Sequence, residues 1–256
     1  MTYVDLAGLT WPQAAAITGG GRALGLLPLG ALEQHGPHLP LATDSLIAGF
    51  LARELAEAID LPVLVHPVLP IGVSPNHVHF PGTVSLDPAA YSSVLRAIVA
   101  GFERTGVREV AIFSGHGGNI PHIVAFAEQW AAEGSAVRVA AYGGFERFFA
   151  AMFDGARQAG LEPPLADIHA GAVETSQMLH AFPEAVREIA GVEGYTAAEE
   201  GWFERMRAGG VVALSPSGVL GDAPRATAAA GRAIFDALRS DLGSWLDDAF
   251  GVPRCP

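Results

Sequence analysis

The sequence predicts an α/β fold in which strands and helices alternate along a chain of 256 residues. Three observations carry that expectation. Short apolar runs bounded by turn residues recur with longer amphipathic stretches between them, the order of βαβ units. The first such run, Ala23 to Leu29, is almost wholly apolar, as a parallel strand buried on both faces would be. No internal repeat or long linker interrupts the pattern, so residues 1–256 are expected to form one domain.

In chain order, the Gly19-Gly20-Gly21 run reads as a surface turn ahead of the first core strand, because no helix follows it. Strands are expected at Ala23 to Leu29, Pro62 to Val65, Val110 to Phe113 and Ala136 to Tyr142. Helical periodicity fits Leu46 to Ile59, Pro88 to Thr105, Ile120 to Ala132, Phe145 to Ala159 and Ala172 to Ala181. A last helix is expected over Ala223 to Phe250, starting at or just after Pro224, a residue suited to a first turn. Gly191 to Ala213 carries no clear period; its Trp202, Phe203 and Met206 suit either a subunit interface or a pocket lid.

Composition bounds the function. With 50% hydrophobic residues and a mean hydropathy of +0.31, the chain can bury a large core. The longest apolar stretch falls well short of the roughly 20 residues a bilayer needs, so no membrane association is expected. A net charge of −12 excludes a nucleic-acid partner, since no basic stripe opposes phosphate repulsion. All fifteen basic residues are Arg, so no Schiff-base lysine chemistry is available. The single Cys255 cannot form an intrachain disulfide. The N-terminus MTYVDLAGLTWPQ lacks a basic start and an apolar core, and a cytoplasmic location is expected.

Three stretches carry chemistry. In PLGALEQHGPHLPLATDS, Glu33, His35 and Asp44 place two carboxylates and an imidazole within twelve residues, just after the first strand. Hard oxygens mixed with an imidazole nitrogen favour Zn, Mn or Fe, whereas Ca and Mg prefer an all-oxygen shell. In SGHGGN, His116 stands on a strand-to-helix turn whose Gly115, Gly117 and Gly118 permit positive φ and close approach of a ligand. That stretch has neither the glycine spacing of a dinucleotide site nor the lysine of a P-loop. In DIHAGAVETS, His169 and Glu174 are five residues apart, about 140° around a helix. His169 therefore belongs on the turn before the helix as a proton carrier, and Glu174 inside it within reach of a metal. Asp167 suits either orientation of His169 or a helix cap.

Four segments, LPLGALEQHGPHLPLATDS, GVSPNHVHFPGTVSL, FSGHGGN and DIHAGAVETSQML, resemble the creatininase family in order and spacing over roughly residues 23 to 182. The resemblance implies a three-layer α/β/α sandwich with a mostly parallel central sheet, two divalent metal ions (Zn, Mn or Fe) and a homo-oligomer, commonly a hexamer. It makes Asp44 the carboxylate shared by two metals, with Glu33 and His116 completing one and His35 and Glu174 the other. Three carboxylates against two imidazoles offset the repulsion between two cations, and a bridging hydroxide would be the nucleophile. His169 would protonate the departing nitrogen. Ser74 and His77 match the family's substrate-side loop, and Gly117 and Gly118 would line the same side. His77 and His79 alternate about Val78 as in a strand, so that one faces the site and the other packs or meets solvent.

Two departures bear on substrate. Creatinine hydrolases carry Glu where this chain has Gly118, and tryptophans shortly before the HAG motif, where this chain has none. The expected activity is therefore hydrolysis of an amide or cyclic amide other than creatinine, in a pocket shaped by Tyr142, Phe145, Phe148 and Phe149. The alternative is a peptidase resembling the precursor-peptide protease of the mycofactocin system. A third reading is a non-catalytic metal-binding or regulatory protein.

Overall fold

In a computed structural model the described residues are 3–252; Cys255 lies outside them. Strands β1 (Tyr3–Asp5), β2 (Leu24–Leu29), β3 (Val63–Val65), β4 (Glu109–Ser114) and β5 (Arg138–Ala141) form one sheet in the order β1-β3-β2-β4-β5. Every pairing is parallel. The helices are α1 (Trp11–Gly19), α2 (Thr43–Glu57), α3 (Pro88–Thr105), α4 (Ile120–Ala132), α5 (Phe145–Gln158), α6 (Ala172–Ala181), α7 (Trp202–Gly209) and α8 (Ala228–Phe250).

Strand alternation divides the interior in two. Leu24 and Leu26 of β2, Val63 and Val65 of β3, and Ala111 and Phe113 of β4 join one apolar cluster with residues of α2, α5, α6 and α8. Leu27 and Leu29, Leu64, and Val110 and Ile112 point the other way, into a cluster with α3 and α4. Successive side chains on a strand point to opposite faces, so the expected three-layer α/β/α arrangement follows directly from the wholly apolar strands. Among the described residues no helix is long and apolar enough to cross a membrane.

The structure corrects several boundaries. The three-residue strand β1 and the helices α1 and α7 have no counterpart in the sequence-based expectation. A single turn of 3-10 helix occupies Ala223–Arg225, and α8 starts only at Ala228, where the Thr227 hydroxyl accepts from the Ala230 N–H. The segment around His77 is a 3-10 turn, Pro75–His77, rather than strand. Its outcome for the two histidines is nevertheless the expected one, His77 buried and His79 exposed. The most consequential shift is at α2, which starts at Thr43 rather than Leu46. Asp44 thereby sits in a helix's first turn, where the exposed N–H groups and the dipole favour a carboxylate.

Candidate metal centre

The site forms where the central strands end. Glu33, Gln34 and His35 follow β2, His116 follows β4, Asp44 opens α2, and Glu174 lies in the first turn of α6. Two glycines let these pieces converge. A Cβ on Gly30 would lie 2.5 Å from the Ser45 Cα, and one on Gly115 would lie 2.5 Å from the Asp44 carbonyl oxygen. The start of α2 can sit against both strand ends only because neither carries a side chain. Gly115, Gly117 and Gly118 do not take the positive φ anticipated for them. Gly118 serves space instead: a Cβ there would stand 2.3 Å from His116 Nε2.

Asp44 faces two ways. Its Oδ1 is 3.2 Å from His35 Nε2, and its Oδ2 is 3.3 Å from His116 Nδ1. His116 Nδ1 is also 3.2 Å from Glu33 Oε1, and His35 Nε2 is 3.7 Å from Glu174 Oε2. Glu33 and His116 thus lie on one side of the Asp44 carboxylate, and His35 and Glu174 on the other. Ligands held about 2.1 Å from a common tetrahedral ion lie roughly 3.4 Å apart, which is the spacing seen. The nitrogens turned away from the centre are anchored, His35 Nδ1 donating to the Glu33 carbonyl at 3.0 Å and His116 Nε2 to the Val73 carbonyl at 3.2 Å. Such anchoring fixes the tautomer and leaves a lone pair facing inward.

The donor set fits metal on a second count. Both Glu33 carboxylate oxygens and Asp44 Oδ2 are buried without a hydrogen-bond partner. Buried carboxylate oxygens without partners are costly, and a cation removes that cost. The protonation tendencies agree. Burial opposes a charge on His35, yet Asp44, Glu174 and Glu33 raise its pKa to about 10. Burial likewise opposes charge on His116, and Glu33 and Asp44 override it and raise its pKa well above the usual value. Burial and neighbouring carboxylates push Glu174 up to about 7. The crowded carboxylates thus favour positive charge beside them, which is what a metal ion would supply.

Beside this centre stand two further imidazoles. His169 precedes α6, held by reciprocal main-chain hydrogen bonds with Leu220 of 3.2 and 2.8 Å. Its Nε2 is 2.7 Å from the Gln34 main-chain oxygen, and its Nδ1 is 3.6 Å from Glu33 Oε1. His77 Nε2 is 3.5 Å from the same Glu33 oxygen. Burial, then His35 and His77, hold the His169 pKa well below that of a free histidine, and burial takes His77 down to about 4. Both are neutral at neutral pH. By proximity His169 also groups with Glu33 and His77, and with His35 and Glu174, as a set able to hold an ion. Distance alone therefore does not set His169 apart from the candidate ligands.

Of the two readings of Asp167, the structure supports the cap: its carboxylate accepts from the N–H groups of Ala172, Val173 and Asp222. Ser74, His77, Gly117 and Gly118 all line a cavity of about 1020 Å³ that opens over the centre. Phe145, Phe148 and Phe149 form part of its wall; Tyr142 does not, packing on Trp245 and donating to Asp241 instead. Phe203 and Met206 of α7 line it too, so the unreadable segment supplies a wall of the cavity. Several lining residues lacked any sequence signal, among them one arginine and one histidine. Arg207 follows Met206 on α7, and His122, which stands in no motif, sits at the start of α4.

A parallel α/β sandwich with a carboxylate and imidazole centre at its strand ends defines the class of α/β metallohydrolases. A family model described as creatinine amidohydrolase matches residues 7–246, and the chain belongs to the creatininase family. A mycofactocin precursor peptide peptidase from Mycolicibacterium smegmatis is 38% identical over 241 residues, covering 89% of this chain and 87% of its own. The creatinine amidohydrolase of Pseudomonas putida is 31% identical over 194 residues, 70% of this chain and 72% of its own. A solved structure, creatininase Mn, matches with a TM-score of 0.82 at 26% identity, covering 96% of this chain and 98% of that one.

Proposed function

We propose that this chain is a two-metal hydrolase of short peptides, with Glu33, Asp44 and His116 holding one ion and His35, Asp44 and Glu174 the other. The observation that carries the peptide reading over a small cyclic amide is the cavity. At about 1020 Å³ it reaches the top of the range for drug-sized ligands, about 300–1,000 Å³, and far exceeds what one small ring fills. The relatives named as peptidases, which match most of the chain, support the same choice.

When bound, the ions would polarise the scissile carbonyl and acidify a water molecule. The protein's own groups do the rest. His169 starts neutral, with its Nε2–H donated to the Gln34 carbonyl and the Nδ1 lone pair facing Glu33. Nδ1 can take the proton released by the attacking water and then return it to the departing nitrogen. Phe145, Phe149 and Phe203 offer an apolar wall to substrate side chains, while Glu128 and Glu146 on the rim suit an amino terminus and Arg207 a carboxylate.

The test is turnover by the zinc- or manganese-loaded protein of creatinine, formamides and peptides of three to six residues. Peptides should exceed creatinine by about 10²-fold or more in kcat/KM, since an unclamped ring is poorly aimed. Efficient creatinine hydrolysis with inert peptides would overturn the reading.

A further inference from the structure

Gln34 lies between two metal-ligand candidates, yet its side chain points away from the centre and is buried at 5% exposure. Its Oε1 accepts the Gly36 N–H at 2.9 Å, which fixes the direction of the amide. Its Nε2 then has three neighbours: the Gly218 carbonyl at 3.0 Å, His77 Nδ1 at 3.1 Å and His169 Nε2 at 2.8 Å.

An amide nitrogen carries two hydrogens, and the three neighbours compete for them. Gly218 O can only accept, so it takes one. His169 Nε2 stands 2.7 Å from the Gln34 main-chain carbonyl, a separation that requires a hydrogen on that nitrogen. It therefore has no lone pair to offer. The second amide hydrogen goes to His77 Nδ1. A neutral imidazole that accepts at Nδ1 carries its proton at Nε2, and His77 Nε2 is the atom 3.5 Å from the Glu33 carboxylate.

We propose that the Gln34 side chain is a positioning residue that sorts the two imidazoles: it makes His77 a proton-bearing donor at Nε2, directed at the Glu33 carboxylate at the edge of the cavity, and not a metal ligand. His169 keeps the complementary role, with its lone pair inward at Nδ1. One buried amide, which never touches the substrate, thereby assigns opposite duties to two chemically identical side chains. A donor that orients a carboxylate beside a metal site is typically worth about 10–100-fold in activity.

The experiment is long-range ¹H–¹⁵N correlation on the zinc-loaded, histidine-labelled protein, with His77 identified from its loss in His77→Asn. The wild type should show His77 protonated at Nε2 and bare at Nδ1; a proton on Nδ1, or zinc coordination at Nε2, would overturn the proposal. Gln34→Glu keeps the size and the acceptor for Gly36 but presents only acceptors to His77. It should move the His77 proton to Nδ1 and lower kcat by about 10²-fold, with KM within about threefold and zinc content unchanged. An unmoved proton with kcat within about threefold of wild type refutes it. Should Gln34→Glu fail to fold, Gln34→Met removes the donor without adding charge and is read the same way. Turnover here rests on the peptidase reading, whereas the spectrum does not; inert peptides with the expected tautomer would sink that reading alone.

Discussion

At the scale of single residues, the proposed centre would separate groups that hold a metal from the group that moves a proton. Asp44 is placed between both imidazole and carboxylate pairs, so Asp44→Ala should lose metal and turnover together. His169 is anchored by the main chain on one nitrogen and free on the other, so His169→Ala should retain metal and lose about 10²–10⁴-fold in kcat, the usual worth of general acid–base catalysis. Elemental analysis beside kinetics decides between them; an emptied site in His169→Ala would make it a ligand. The residues that cluster at the candidate centre were legible because the residue types are informative in themselves: carboxylates and histidines crowded around Gly and Pro have few other uses. Gln34 was not, because a neutral amide in a loop carries no signature until its three partners are seen. His122 and Arg207 were illegible for a related reason, since a cavity wall is assembled from positions that no local pattern connects.

Elements were legible in proportion to their length and burial. Helices α3, α4 and α5 bury one stripe each, and their periodicity located them to within about a residue. Helix α1 buries none of its residues, and β1 has three residues at the sheet edge, so neither imposes a pattern on the sequence. Helix α7 has eight residues and one buried side chain, too few for a period to emerge. Packing between elements gives its own prediction. A Cβ on Gly231 of α8 would lie 1.9 Å from the Ser176 carbonyl oxygen of α6, the helix that carries Glu174. Gly231→Ala should destabilise by about 1–3 kcal/mol in denaturant unfolding through overpacking, against a helix-propensity gain of about 1 kcal/mol. Gly101→Ala, in the open on α3, should show only the gain. Equal effects from both would mean that α6 and α8 slide apart freely.

For the molecule as a whole, the candidate centre joins the C-terminal ends of the central strands β2 and β4 to α2 and α6, so its charge state bears on global stability. Removing both metals should lower Tm by roughly 15–30 °C, given about 4 kcal/mol per site for an ion at a thousandfold over its Kd and about 2–4 °C per kcal/mol at this size. The metal-free protein should also respond to pH in a defined sense. His35 is raised to about 10 by Asp44, Glu174 and Glu33 against its burial, so its contribution is complete below the ordinary histidine pKa and lost as pH climbs toward 10. His116, also raised, has the same sign. Melting curves across pH 7 to 10 should therefore fall for the chelated protein and stay comparatively level for the loaded one. Parallel curves would show that the carboxylates are not what the ions neutralise.

The order in which the centre's parts occur along the chain also governs how the protein becomes active in a cell. Glu33 and Glu174 lie about 140 residues apart, and α6 needs α8, the final helix, to pack against. A growing chain therefore emerges with its first ligands long before the last, and at no earlier stage of synthesis are they brought together. Metal uptake is therefore expected to follow folding, and the ion held to follow the supply, since the same donor types accept zinc, manganese and iron. Expression of the same gene under zinc-rich or manganese-rich conditions should then yield one fold carrying different ions, set by the moment after folding and not by the ribosome.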